Sequence, residues 1–174
     1  MRSITVLIAL GLLLAFIAWQ ARTGIFRRAN PGEPANKYMR QMLEAQKLSE
    51  GDAAAIAQKW PGALVTPSGL RYVVNRPGSG SPPATGALVL AHYHGTFLDG
   101  VKFDSSRDSG VPFSFRVGAG EVIKGWDEAF AQMTKGEQRT LIVPWWLAYG
   151  VEGRPPRIPQ RATLVFEVEL VDIQ

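Results

Sequence analysis

A chain of 174 residues, 46% hydrophobic and 20% charged, has room for one domain of ordinary size plus a tail, and its composition excludes a disordered polymer. It has no cysteine, which excludes a disulfide framework, thiol chemistry and a lipidated-cysteine anchor. The net charge of +4 is unevenly placed: residues 1–40 carry Arg2, Arg22, Arg27, Arg28, Lys37 and Arg40 against Glu33 alone, whereas from Thr66 onward eleven basic residues balance eleven acidic ones, an argument against a nucleic-acid-binding surface there.

Ile4 to Trp19 is an apolar run. As a helix it would reach about 24 Å, short of a bilayer core of about 30 Å unless its ends help. Trp19 and Arg22 supply that help, because aromatic and basic side chains settle at the interface. Cleavage after Ala18 or Ala21 would put Phe16 or Trp19 where a small residue belongs, so a retained anchor is favoured over a cleaved signal. Residues 1–21 are therefore read as a membrane anchor or signal segment, with a single pass. Arg22, Arg27 and Arg28, taken literally, would keep the downstream chain in the cytoplasm. A domain behind such a segment is more usually exported, and an extracytoplasmic, periplasmic placement is the expectation.

Residues 22–62 read as a basic linker with short helices. Gly24, Pro31, Gly32 and Pro34 break regular structure. Asn36–Leu48 has a modest apolar stripe of Tyr38, Met39, Met42 and Leu43. Asp52 is expected to cap a second helical piece that runs to Lys59 and stops before Pro61-Gly62.

Residues 63–174 change character. Leu70–Arg76, Leu88–Leu98, Phe113–Val117, Gln138–Val143 and Ala162–Asp172 are rich in strand-forming residues, and Asp99-Gly100 signals a hairpin. In the last segment Leu164, Phe166, Val168 and Leu170 alternate onto one face. Val122–Met133 places Ile123, Trp126, Phe130 and Met133 at helical intervals. About five strands and one short helix make an α+β domain, a twisted antiparallel sheet wrapped on one helix.

A search for reactive groups finds few. His92 and His94 share one side of a strand, but no third histidine exists, and a wetted sheet face is the better reading than a metal site. Asp104 and Asp108 bracket Ser105, Ser106 and Arg107, which suits a turn with local hydrogen bonds and an ion pair better than a pair of hydrolytic acids. No cofactor motif is present. What is abundant is aromatic: Tyr93, Phe103, Phe113, Phe115, Trp126, Trp145, Trp146, Tyr149 and Phe166 permit an aromatic-lined pocket.

The stretches GTFLDGVKFDSSRDSGVPFSF, VGAGEVIKGWDEAFAQMTKGEQRTLIVP, LAYG and IPQRATLVFEVELVDI, in that order, resemble the FKBP-type peptidyl-prolyl cis-trans isomerases from about Thr66 to Gln174. TPSGLRYVV looks like the lead-in strand of bacterial members. The resemblance implies rotation of X-Pro bonds in client proteins, with macrolide inhibitors as candidate partners, and together with the apolar run it implies assistance to folding at a membrane. By position, it makes Trp126 the floor of a prolyl pocket. Tyr93, Phe103, Phe113 and Phe166 become its walls, and Val122 and Ile123 its rim. Asp104 and Tyr149 form a polar pair, and Ile158 lies over the mouth. Asp104, Tyr149, Ile123 and Trp126 are the implied catalytic group. The sequence departs from the family pattern at Arg154, at Pro155-Pro156-Arg157 and at Pro144-Trp145-Trp146. These departures bear on substrate preference and inhibitor affinity more than on basal catalysis.

Overall fold

The computed structural model describes residues 46–174, and Gln46–Gln174 form one compact unit. The apolar run and residues 36–45 of the expected first helix lie outside the described residues, and 46–48 are not helical. Among the described residues no helix is long and apolar enough to cross a membrane.

The chain enters through helix α1, Glu50–Lys59. Its cap is Ser49 rather than Asp52: the Ser49 hydroxyl accepts the Asp52 N–H at 3.0 Å. That leaves Asp52 free to accept a hydrogen bond from the Thr163 hydroxyl at 2.6 Å. Ile56, 4% exposed, packs inward, and the Lys59 ammonium meets the Leu98 carbonyl. Residues given to a linker by their composition are thus docked on the domain.

Seven strands form one sheet: β1 Leu64–Val65, β2 Arg71–Arg76, β3 Leu88–Phe97, β4 Lys102–Ser105, β5 Phe113–Arg116, β6 Gln138–Val143 and β7 Leu164–Ile173. The order is β1-β2-β6-β7-β3-β4, with β5 also on β3, and every pairing is antiparallel. Two strands exceed the five expected. β1 has only two residues, both exposed, and offers no alternation to read. β4 is the return limb of the Asp99-Gly100 hairpin. There the Asp99 carboxylate accepts the Val101 N–H at 2.9 Å and Gly100 takes φ 93°, open to glycine at little cost.

Strand β3 is the hinge of the sheet. Its first half, Leu88–Ala91, pairs with β5, its second half, His94–Thr96, pairs with β4, and β7 runs along its other side. Leu164, Phe166, Val168 and Leu170 of β7 are all buried on the inner face. Helix α2, Lys124–Phe130, covers that face and buries Gly125, Trp126, Ala129 and Phe130. It is shorter than the expected Val122–Met133. Ile123 is extended and serves as its N-cap, while Ala131–Met133 leave the helix as a turn that still buries Met133 completely.

The turn between α2 and β6 is held by a buried ion pair. Arg139 Nε donates to Glu137 Oε1 at 2.6 Å, each side chain being 8% exposed. Thr134 adds its N–H and hydroxyl to Glu137 Oε2. Arg139 also donates to the Gln132 carbonyl and sits 4.7 Å from the centre of the Tyr72 ring. Burial pushes the Glu137 carboxyl up, but the Thr134 and Arg139 hydrogen bonds outweigh it and the group ends below its ordinary value of 4.5.

Candidate functional site

A cavity of about 580 Å³ opens between α2 and the concave face of the sheet. Its base is Trp126, 5% exposed. The indole ring centre lies 5.1 Å from Tyr93, 5.2 Å from Phe166, 5.4 Å from Phe130, 5.8 Å from Phe115 and 6.2 Å from Phe113, mostly edge-on. Each contact is of the kind that steadies aromatic pairs. Phe103 adds to the wall by meeting Phe166 at 5.5 Å and 89°. These rings come from β3, β4, β5, α2 and β7, so only the folded sheet assembles them. Gly95 makes room: a Cβ there would stand 2.7 Å from Phe103 and 3.1 Å from Phe166.

The Trp126 indole N–H is buried and, among the described residues, has no hydrogen-bond partner. Leaving such a donor unpaired costs about 1–3 kcal/mol.

The polar groups stand at the mouth. The Tyr93 phenol donates to Asp104 Oδ2 at 2.8 Å, and the Ser105 N–H holds Asp104 Oδ1 at 3.0 Å. Burial, the Asp104 hydrogen bond and the Asp104 charge push the Tyr93 phenol up to about 12, so it stays a neutral donor across the physiological range. The Tyr93 backbone is pinned as well, because Ser106 accepts its N–H at 2.9 Å and Ser105 donates to its carbonyl at 3.0 Å. The segment that joins Asp104 to Asp108 is therefore a turn, Ser106–Asp108, closed by an exposed Lys102–Asp108 ion pair. His92 is tied to this turn through Ser106 at 3.1 Å. On the other rim the Gly118 and Gly120 N–H groups donate to the two oxygens of Asp127, which fixes the loop before α2. Val122 and Ile123 come directly after that loop, and the Ile123 N–H has no protein acceptor among the described residues.

Of the residues singled out in the sequence, Tyr93, Phe103, Asp104, Phe113, Val122, Ile123, Trp126, Tyr149 and Phe166 all line this one cavity. Ile158 does not. It is 4% exposed and packs in the core, held there because its N–H and carbonyl both pair with Arg154. Position along the 153–158 loop alone would give the mouth to the aliphatic residue. The backbone pairing turns Ile158 inward and leaves Arg154 on the cavity, 5.9 Å from the Tyr149 ring centre. Lys124 and Glu121 also border the cavity and carried no signal in the sequence beyond their place beside Ile123. Trp145 and Trp146 do not line it. Trp146 donates to the Ser68 carbonyl at 2.9 Å, and Arg161 lies 5.6 Å from the Trp145 ring centre.

An aromatic cavity with a few fixed donors among its lining groups suits a reaction that breaks no bond. Comparison with known proteins names that reaction. The family model for FKBP-type peptidyl-prolyl cis-trans isomerase matches residues 80–171.

The chain belongs to the FKBP-type peptidyl-prolyl cis-trans isomerase family.

It is 49% identical over 107 residues to the peptidyl-prolyl cis-trans isomerase Fkbp12 of Drosophila melanogaster, an alignment that covers 61% of this chain and 99% of that relative. It is 44% identical over 135 residues to the peptidyl-prolyl cis-trans isomerase FKBP4 of Homo sapiens, covering 75% of this chain but only 29% of that longer protein. The crystal structure of AtFKBP13 superimposes with a TM-score of 0.62 at 38% identity, over 64% of this chain and 98% of that one. The protein is a prolyl isomerase by this membership, and its FKBP fold is the sheet-on-helix arrangement described above.

Proposed function

We propose that the Trp126 cavity is where this isomerase rotates X-Pro bonds, and that it does so on client polypeptides folding beside a membrane. The observation that carries the assignment of the site is the one cavity in which Tyr93, Phe103, Phe113 and Phe166 enclose Trp126, with Asp104, Ile123 and Tyr149 on its lining.

An X-Pro bond resists rotation by about 18–20 kcal/mol because the amide is conjugated. The planar ground state separates charge between nitrogen and oxygen, whereas the twisted state has lost that resonance. A cavity that excludes water favours the less polar twisted state, and tighter binding of that state is all the catalysis needs. In this reading Trp126 supports the pyrrolidine ring, and Tyr93, Phe103, Phe113 and Phe166 enclose it. The Ile123 N–H and the Tyr149 hydroxyl hold the flanking carbonyls. Asp104 orients the Tyr93 phenol. Val122 narrows the entrance. Each ~1.4 kcal/mol of preference for the twisted state is tenfold in rate.

Tethering rests on the apolar run Ile4–Trp19 with its flanking Trp19 and Arg22, and residues 22–45 would space the domain from the bilayer. The placement proposed for the domain is extracytoplasmic. Two relatives in Dictyostelium discoideum bear the name FK506-binding protein, and that kinship, with the aromatic cavity found here, supports macrolide binding by this chain too.

The test is an isomerase assay on the full chain, with Trp126→Phe and Asp104→Asn compared after each is checked for folding. Activity that falls at least tenfold in folded Trp126→Phe supports the site. Undiminished activity in both variants would place catalysis elsewhere. Reporter fusions at residue 60 decide orientation: signal from a cytoplasm-only reporter would overturn the exported placement.

A further inference from the structure

The charges around the mouth divide into two kinds. Every acid that borders the cavity already has protein donors. Asp104 accepts from Tyr93 and Ser105, Asp127 from Gly118 and Gly120, and Glu121 accepts the Arg116 N–H at 2.9 Å. The cations differ. Lys124, Arg154 and Arg157 are all exposed, and none has an ion-pair partner among the described residues. Elsewhere Arg76, Lys102, Arg107, Lys135 and Arg139 are in ion pairs, while Lys59, Arg71 and Arg116 donate to backbone carbonyls instead.

Arg154 and Arg157 are also placed, not merely present. Arg154 borders the cavity with its guanidinium near the Tyr149 ring, and two backbone hydrogen bonds to Ile158, at 2.8 and 2.9 Å, clamp the short turn that carries both arginines. Arg157 is exposed on the same clamped turn, between Arg154 and the inward-turned Ile158. A guanidinium offers a planar fork of donors matched to a carboxylate. Held at the rim of a prolyl site, two such forks meet the residues that flank the proline, whereas the engaged acids have fewer lone pairs to offer a cationic side chain.

We propose that Arg154 and Arg157 select clients with an acidic side chain immediately before or after the proline. This rests on the reading of the Trp126 cavity as the isomerase site. An exposed pair of this kind contributes a few-fold in affinity, weakened by salt.

The experiment measures kcat/KM of the full chain on blocked peptides that differ only in the residue beside proline: Glu, Gln or Lys. At about 20 mM salt the Glu peptide is expected to exceed the Lys peptide by about threefold, and at about 500 mM the two should approach equality. The ratio should level in the double variant Arg154→Gln, Arg157→Gln, and should invert in favour of Lys in Arg154→Glu. Because the readout is a ratio between peptides, a general loss of activity in a variant does not mimic the effect. Equal rates on Glu and Lys peptides in the native protein, or a Glu preference that survives the double variant, would overturn the proposal while leaving the isomerase site intact. Failure to turn over even the Gln peptide would instead remove the site reading itself, and this inference with it.

Discussion

The floor and the rim of the cavity are built on different terms. At the floor, Trp126, Phe166 and Phe115 belong to the hydrophobic core, with exposures of 5%, 4% and 1%, and the first two also line the cavity. At the rim, Arg154 and Arg157 are exposed and carry little of the fold, and the residue of their loop that does, Ile158, is turned inward. Where function and stability share side chains, substitution costs both and the sequence has little freedom. Where they are separated, the loop can change charge without endangering the domain.

The comparison breaks first at the floor. Trp126→Ala should cost about 3–5 kcal/mol of stability, as large aromatic truncations in cores do, and should lose activity with it. Urea denaturation beside the isomerase assay checks this, and a variant that keeps near-native stability would show that the indole is not part of the core. Removing one partner of the buried Glu137–Arg139 pair, through Glu137→Gln, should cost about 3 kcal/mol. In the folded variant at neutral pH, the rate on peptides should be little changed, since the pair does not border the cavity. Because the Glu137 carboxyl is held below 4.5, its contribution is present above that value and lost as pH falls through the folded one. The acid limb of the native stability curve should therefore flatten in Glu137→Gln.

Gly95→Ala sharpens the same contrast from inside the wall. Its Cβ must displace Phe103, and a cost of about 1–3 kcal/mol with a raised KM is expected. An unchanged KM would mean that Phe103 yields away from the cavity. The smallest effect is spectroscopic. Tyr93 should titrate near 12, identified by subtracting the phenolate signal of Tyr93→Phe. Its raised value stabilises the fold fully below 10.0 and that contribution disappears as pH rises through about 12. Asp104→Asn keeps an acceptor but removes the charge, so the Tyr93 titration should move down toward 10.0.

Much of the site was legible because its residues are spaced by the elements that carry them. Strand β6 is readable with the bounds it has, Gln138–Val143, from a run of strand formers with turn residues around it. Trp126 and Phe130 stand out at a helical interval, and the nine cavity residues are reached through family motifs tied to those elements. The helix running to Lys59 was expected too, but not what it packs on, because helix α1 buries only Ile56 and its pattern does not separate a spacer from a docked helix. It is docked by single contacts from Asp52 to Thr163 and from Lys59 to Leu98, more than thirty residues away along the chain.

The sequence by itself determined the antiparallel α+β class, the family and the aromatic inventory of the site, because periodicity and motif order are local properties of the chain. Tertiary structure alone decided which residue of the 153–158 loop faces the cavity. It likewise brought Tyr93, Phe113 and Phe166 around Trp126, and it docked residues 46–59 on the domain. These outcomes depend on hydrogen bonds and packing between segments far apart or folded back on themselves, and no spacing along the chain encodes them.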